Sequence, residues 1–136
     1  MRLTQEIDYA FRIIGYLSTS DKDVVGAPTI AEEMHIPDRF TLRILRKLNQ
    51  AGLTDAKRGA RGGYYLKRPK EEISLYDIIL AVDGPIEINR CLYADDSYCS
   101  RNQDGNYGRC NVHRKLADIQ YEIIKLFEDS KITDLF

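Results

Sequence analysis

Apolar residues recur at helical spacing in several stretches of the chain, and the polar residues between them mark where each helix stops. Leu3, Ile7, Ala10, Phe11, Ile14 and Leu17 place one apolar stripe on a helix over residues 3–17. Asp8 and Arg12 lie off that stripe, four residues apart, and suit a surface ion pair. Ser18 to Pro28 is acidic and glycine-containing and reads as a loop. Thr29 and Glu32 then carry capping-box spacing, which predicts a helix start near Thr29. Ile36-Pro37 breaks it, because proline disfavours helical geometry in the residue before it yet is comfortable where the next helix begins.

The next helix is predicted from Asp38 to Ala51. Thr41, Ile44, Leu45 and Leu48 form its buried face, leaving Arg39, Leu42, Arg43, Arg46 and Lys47 on the remaining surface. Gly52 ends it, Leu53 to Lys57 suits a short strand, and the turn Arg58-Gly59-Ala60-Arg61-Gly62-Gly63 returns the chain into a second strand, Tyr64 to Leu66. Ser74 and Asp77 bracket a further helix start, with Leu75, Ile78, Ile79 and Val82 on one face and Gly84-Pro85 as the stop. The last long segment, Val112 to Glu128, spaces Val112, Leu116, Ile119, Ile123 and Leu126 at intervals of 4, 3, 4 and 3. That is the heptad period of a helix packed along another helix, and Ile124 and Phe127 widen the face. Either the first helix covers this surface or a two-fold partner does, and the partner is the simpler explanation.

Two helices, a tight turn and a glycine-tipped hairpin in that order predict a mostly α fold with a small β-hairpin wing. The expected architecture is a winged helix-turn-helix DNA-binding domain over residues 1–84, a cysteine-containing loop over 85–110, and a dimerisation helix with its tail over 111–136.

Charge sharpens this picture. The 136-residue chain has a net charge of only −1, yet residues 39–70 hold 10 of its 20 Lys and Arg and a single acid, Asp55. A basic segment on an acidic body is the footprint of a surface that meets phosphates. No apolar run reaches membrane-spanning length and the N-terminus lacks a signal-peptide pattern, so a cytoplasmic, non-membrane protein is expected. The chain shows neither a phosphate loop of the G-x-x-x-x-G-K-[ST] type nor a nucleophile paired with a base, which argues against an enzyme.

Cys91, Cys99 and Cys110 sit in a polar segment with little apolar interior of its own. Seven and ten residues separate them, unlike the C-x-x-C knuckle of structural zinc. Inert thiols, reactive thiols and metal ligands all remain open. His113 follows Cys110 by three residues at a helix start, so both can share a face. Soft thiolates with one harder donor suit an iron–sulfur cluster, with zinc as the alternative.

These residues resemble a bacterial winged-helix regulator family, that of IscR, NsrR and CymR. The resemblance rests on Met1-Arg2-Leu3-Thr4 with Asp8-Tyr9-Ala10, Ile30-Ala31, Ile44-Leu45-Arg46-Lys47-Leu48, Ala51-Gly52-Leu53 and Arg58-Gly59-Ala60-Arg61-Gly62-Gly63-Tyr64. Ala81-Val82-Asp83-Gly84, the three cysteines and Thr133-Asp134-Leu135 follow in family order, although both gaps between cysteines are longer than the family's usual ones. It implies a homodimer on a double-stranded DNA operator, with the helix from Asp38 in the major groove and the wing in the minor groove. Arg39, Leu42 and Arg43 fall where the family reads bases, and Arg58 where a wing arginine enters the narrow groove. Arg46, Lys47, Lys57 and Arg61 would be backbone contacts. Cys91, Cys99 and Cys110 match the family's three thiolates for an iron–sulfur cluster. Asp8, donated by the other subunit, would complete a 4Fe-4S site, whereas His113 would complete a 2Fe-2S site. The family also includes repressors regulated by a protein partner or by their thiols, so a clusterless repressor is the competing expectation.

Overall fold

The computed structural model describes residues 2–93, 99–101 and 110–136. It contains five α-helices and one β-hairpin among those residues: α1 Gln5–Thr19, α2 Ala27–Met34, α3 Asp38–Gln50, β1 Thr54–Lys57, β2 Gly63–Leu66, α4 Leu75–Asp83 and α5 Asn111–Asp129. Short 3-10 turns occupy Lys70–Glu72, Arg90–Leu92 and Ile132–Asp134. The mostly α fold with a hairpin wing is the one expected.

Each helix boundary has a local cause. Thr4 caps α1 by accepting from the amide of Ile7 at 3.3 Å, which starts that helix two residues later than the apolar stripe suggests and leaves Leu3 outside it. The expected capping box at Thr29 is not used. α2 instead begins at Ala27 with Gly26 as its N-cap, and Pro28 occupies the first turn, where a missing N–H has no helical partner to lose. Val25, just ahead, is fixed by a two-way backbone bridge to Tyr64, at 2.9 and 2.8 Å, so the chain enters α2 from the edge of the hairpin. His35, left-handed at φ 53°, closes α2 by donating its amide back to the carbonyls of Ala31 and Glu32. α3 follows at once, with Ala51 as its C-cap. Ser74 and Asp77 make the full reciprocal capping box of α4, which stops at Gly84 as expected.

β1 and β2 pair antiparallel, with Thr54 opposite Leu66 and Lys57 opposite Gly63. Leu53 precedes β1 rather than opening it, and its carbonyl accepts from the Lys67 amide at 3.0 Å. Glycine is needed where the wing meets other backbone. A Cβ at Gly62 would overlap the Lys57 carbonyl oxygen, and one at Gly63 would come within 2.6 Å of the Val25 backbone.

One apolar core holds α1, α2, α3 and α4 together. Ile13, Ile14, Ile30, Ile44, Leu45, Leu48, Leu53, Ile73, Ile78 and Ile79 are all fully buried, each contributing on the order of 2 kcal/mol. The tail joins the same core. Ile132 is buried, its amide donates to the Ile73 carbonyl at 2.9 Å, and the Leu75 amide donates to the Ser130 carbonyl at 3.0 Å. The C-terminal end of α5 is therefore tied to the start of α4. α5 itself packs against α4 and the Arg90–Leu92 turn, yet none of its 19 residues is buried. Val112 is 52% exposed and Leu126 68%, so the first helix does not cover the heptad stripe. No helix among the described residues is long and apolar enough to cross a membrane.

Candidate nucleic-acid interface and cysteine segment

α3 is turned so that Thr41, Ile44, Leu45 and Leu48 go inward, as their spacing requires. The opposite arc carries Arg39, Leu42, Arg43 and Arg46, all exposed, with Leu42 at 53%. An apolar side chain standing in water among three arginines has no role in the core. Beside the hairpin turn Lys57, Arg58 and Arg61 are exposed as well, and the Lys57 ammonium stands 5.6 Å over the Tyr65 ring. Arg68 is engaged along the chain instead, donating to the Glu72 carbonyl at 2.8 Å.

Two of the cations on α3 are held from behind. Lys47 lies 3.0 Å from a Glu6 carboxylate oxygen and donates to the Val82 carbonyl at 2.9 Å, so it links α1, α3 and α4. The Nε of Arg43 donates to the same Glu6 oxygen at 3.2 Å, and its guanidinium lies 4.9 Å over the Phe40 ring. Phe40 meets Tyr9 edge to face, with centroids 6.1 Å apart, and Arg12 lies 4.9 Å over Tyr9. Local spacing carries no sign of Glu6 in this role, because its partners are 37 and 41 positions away. Asp8, by contrast, pairs locally with Arg12 as its spacing predicts, at 3.0 Å to Nε. Arg12 also donates to the Met34 carbonyl at the end of α2, at 3.0 Å.

The three thiols are free and partly exposed. Cys91 lies in the Arg90–Leu92 turn, where its sulfur accepts from the side-chain Nδ2 of Asn89 at 3.4 Å. Ile88, just upstream, donates its amide to Gln120 of α5 at 2.9 Å. Cys110 is the N-cap of α5 and accepts from the His113 amide at 3.4 Å. That backbone N–H, helped by Arg101, holds the Cys110 thiol below its ordinary value against a smaller opposing effect of burial. A thiol biased toward thiolate at a helix N-terminus has the chemistry of a soft-metal ligand or of a reactive cysteine.

The expected ligands are not gathered in one chain. Among the described residues, no three His, Cys, Asp or Glu side chains form a group that could hold a metal ion. Cys91, Cys99, Cys110 and His113 are described, but most of the chain joining the cysteines, residues 94–98 and 102–109, lies outside the described residues, and with it much of the polar loop read from the sequence. Asp8 is paired with Arg12 on α1, and its expected ligand role belongs to a second copy.

A winged helix-turn-helix with an exposed cationic helix and a basic wing defines a DNA-binding protein of the transcription-regulator class. The pattern of the Rrf2 family, described as an iron-dependent transcriptional regulator, matches residues 3–136, and the chain belongs to that family. It is 32% identical over 99 residues to Protein aau3 of Rhizobium meliloti, covering 73% of this chain and 64% of that one. The chain thus spans just under two thirds of that relative's length. A protein of Aquifex aeolicus assigned as an HTH-type transcriptional regulator is 27% identical over 135 residues, covering 99% of this chain and 91% of its own. Among solved structures, CymR, the global cysteine regulator of B. subtilis, superposes with a TM-score of 0.74 at 19% identity, covering 99% of this chain and 95% of that one. At that identity the likeness is one of fold.

Proposed function

We propose that this protein is a homodimeric repressor whose operator binding is set by an iron–sulfur cluster held at Cys91, Cys99 and Cys110. The observation that carries this reading is the position of Cys110, a thiolate-biased side chain that caps α5, in a chain whose family is described as iron-dependent. Cys91 supports it from the other side, because its turn packs on α5 and Ile88 is hydrogen-bonded to Gln120. The donor chemistry fits a 2Fe-2S or 4Fe-4S group, with the partner subunit's Asp8 or this chain's His113 as the harder fourth donor. Such a group, when bound, supplies iron that is sensitive to iron supply, nitric oxide or redox state.

The chain's own residues do the rest. The stripe Val112, Leu116, Ile119, Ile123 and Leu126, exposed at Val112, Ile119 and Leu126, meets its copy across a two-fold axis, and the pair presents two α3 helices to a two-fold operator. Arg39 and Arg43 each take a guanine edge, Leu42 contacts a thymine methyl, and Arg58 enters a narrow minor groove. Arg46, Lys57 and Arg61 contact phosphates, whereas Lys47 reaches one only by leaving Glu6 and the Val82 carbonyl. The segment 91–110 joins the wing domain to α5, so a cluster holding Cys91 and Cys110 biases how the two α3 helices sit. The protein is cytoplasmic and not an enzyme on this reading.

A second reading is favoured by the same Cys110, whose lowered thiol pKa suits a reactive cysteine as well as a ligand: a clusterless repressor controlled through its thiols or a protein partner. The visible spectrum of protein prepared without oxygen, with iron and sulfide assayed on the same sample, separates the two. The cluster reading predicts a coloured protein with equal iron and sulfide, bleached in Cys110→Ser. A colourless protein after anaerobic reconstitution would establish the second reading instead.

A further inference from the structure

Glu6 stands apart from every role described so far. It sits in the first turn of α1, its side chain only 16% exposed, and one carboxylate oxygen takes both Arg43 Nε at 3.2 Å and Lys47 Nζ at 3.0 Å. Arg43 is 55% exposed, lies over Phe40, and among the described residues its terminal nitrogens make no hydrogen bond. A guanidinium has five donors on two usable edges. With Nε committed to Glu6 and one face resting on Phe40, only the edge formed by the two terminal nitrogens can be offered outward.

We infer that Glu6 is a positioning residue of the DNA interface: by fixing Arg43 through Nε, it aims the terminal edge of that guanidinium at one guanine, and so makes α1 part of the specificity of α3. The inference rests on the reading that Arg43 contacts a base. Lys47 completes the device. Its ammonium shares the same oxygen and is itself pinned to the Val82 carbonyl, so Glu6 is neutralised within the fold and does not present a bare carboxylate to phosphates. Freed from Glu6, Arg43 is a long flexible cation able to reach phosphates as readily as a base edge. Binding without sequence preference then gains, and discrimination at one base pair falls.

The test is selection from a randomised duplex DNA pool by the full-length wild type, Arg43→Ala and Glu6→Gln, with thermal melting of each protein as the folding control. Arg43→Ala is expected to lose preference at one position per half-site. Glu6→Gln is expected to lose about tenfold of the preference at that same position, keep it elsewhere, and bind the unselected pool more tightly. If Glu6→Gln does not fold, Glu6→Asp serves, because its shorter carboxylate loses reach to Nε and should show the same single-position loss. Retained preference at the Arg43 position, or an even loss at every position, overturns the inference while leaving base reading by Arg43 intact. If Arg43→Ala loses no single position, base reading by Arg43 fails and the role of Glu6 falls with it.

Discussion

α3 and α5 carry the same kind of amphipathic pattern and meet opposite fates. α3, 13 residues long, sends Thr41, Ile44, Leu45 and Leu48 into the core with none of their surface left in water. α5, 19 residues long, has no fully buried residue: Leu116 and Ile123 of its heptad are half-buried, while Val112, Ile119 and Leu126 are exposed. Periodicity says that a helix has an apolar face; it does not say whose atoms cover that face. For α3 the cover comes from α1, α2 and α4 of the same chain. For α5 the same chain covers only part of the face, through α4 and the Arg90–Leu92 turn, and a groove between Lys115, Asp118, Ile119, Glu122, Ile123 and Leu126 lies open along it. Acids and a lysine rim that apolar groove, the arrangement expected of a helix that pairs with another helix.

The contrast can be broken most forcefully in α3. Leu45→Ala removes a fully buried side chain from the core shared by the helices, and should lower the free energy of unfolding by about 2–5 kcal/mol in urea melts. A loss below about 1 kcal/mol would mean that this face is not the core. On α5 the corresponding change should spare the fold and alter assembly: Ile119→Asp with Leu126→Asp is expected to turn a dimer into a monomer by sedimentation velocity. Unchanged sedimentation would remove α5 as the dimer helix. A smaller effect, confined to the wing, is expected of Gly62→Ala, whose new Cβ meets the Lys57 carbonyl oxygen and must distort the turn that carries Arg58 and Arg61. DNA affinity should fall about tenfold at fixed salt with melting temperature nearly unchanged, because no core residue moves.

What the sequence made legible follows from how local each cause is. The box formed by Ser74 and Asp77, the stop at Gly84 and the inward face of α3 all depend on residues within one or two turns, and they stand where spacing put them. The pair Asp8 and Arg12 is of the same kind. The start of α2 departs from the capping-box spacing because its determinant is distant: the bridge from Val25 to Tyr64 fixes the chain two residues ahead of the helix, and Pro28 in the first turn outweighs the spacing of Thr29 and Glu32. Glu6 went unseen for the same reason, since only the folded packing of α1 on α3 brings it to Arg43. The cationic arc is legible from helical spacing together with the local charge count, whereas gathering the cysteines requires long-range order that their spacing does not specify.

The most direct measurement compares operator affinity, at one fixed salt concentration and without oxygen, for protein that retains iron and sulfide and for the same protein after chelation. Control through the cysteine segment predicts affinities that differ by about tenfold or more, with the difference lost in Cys110→Ser. Equal affinities for the two forms would contradict it, leaving a DNA-binding regulator whose control does not pass through those three thiols.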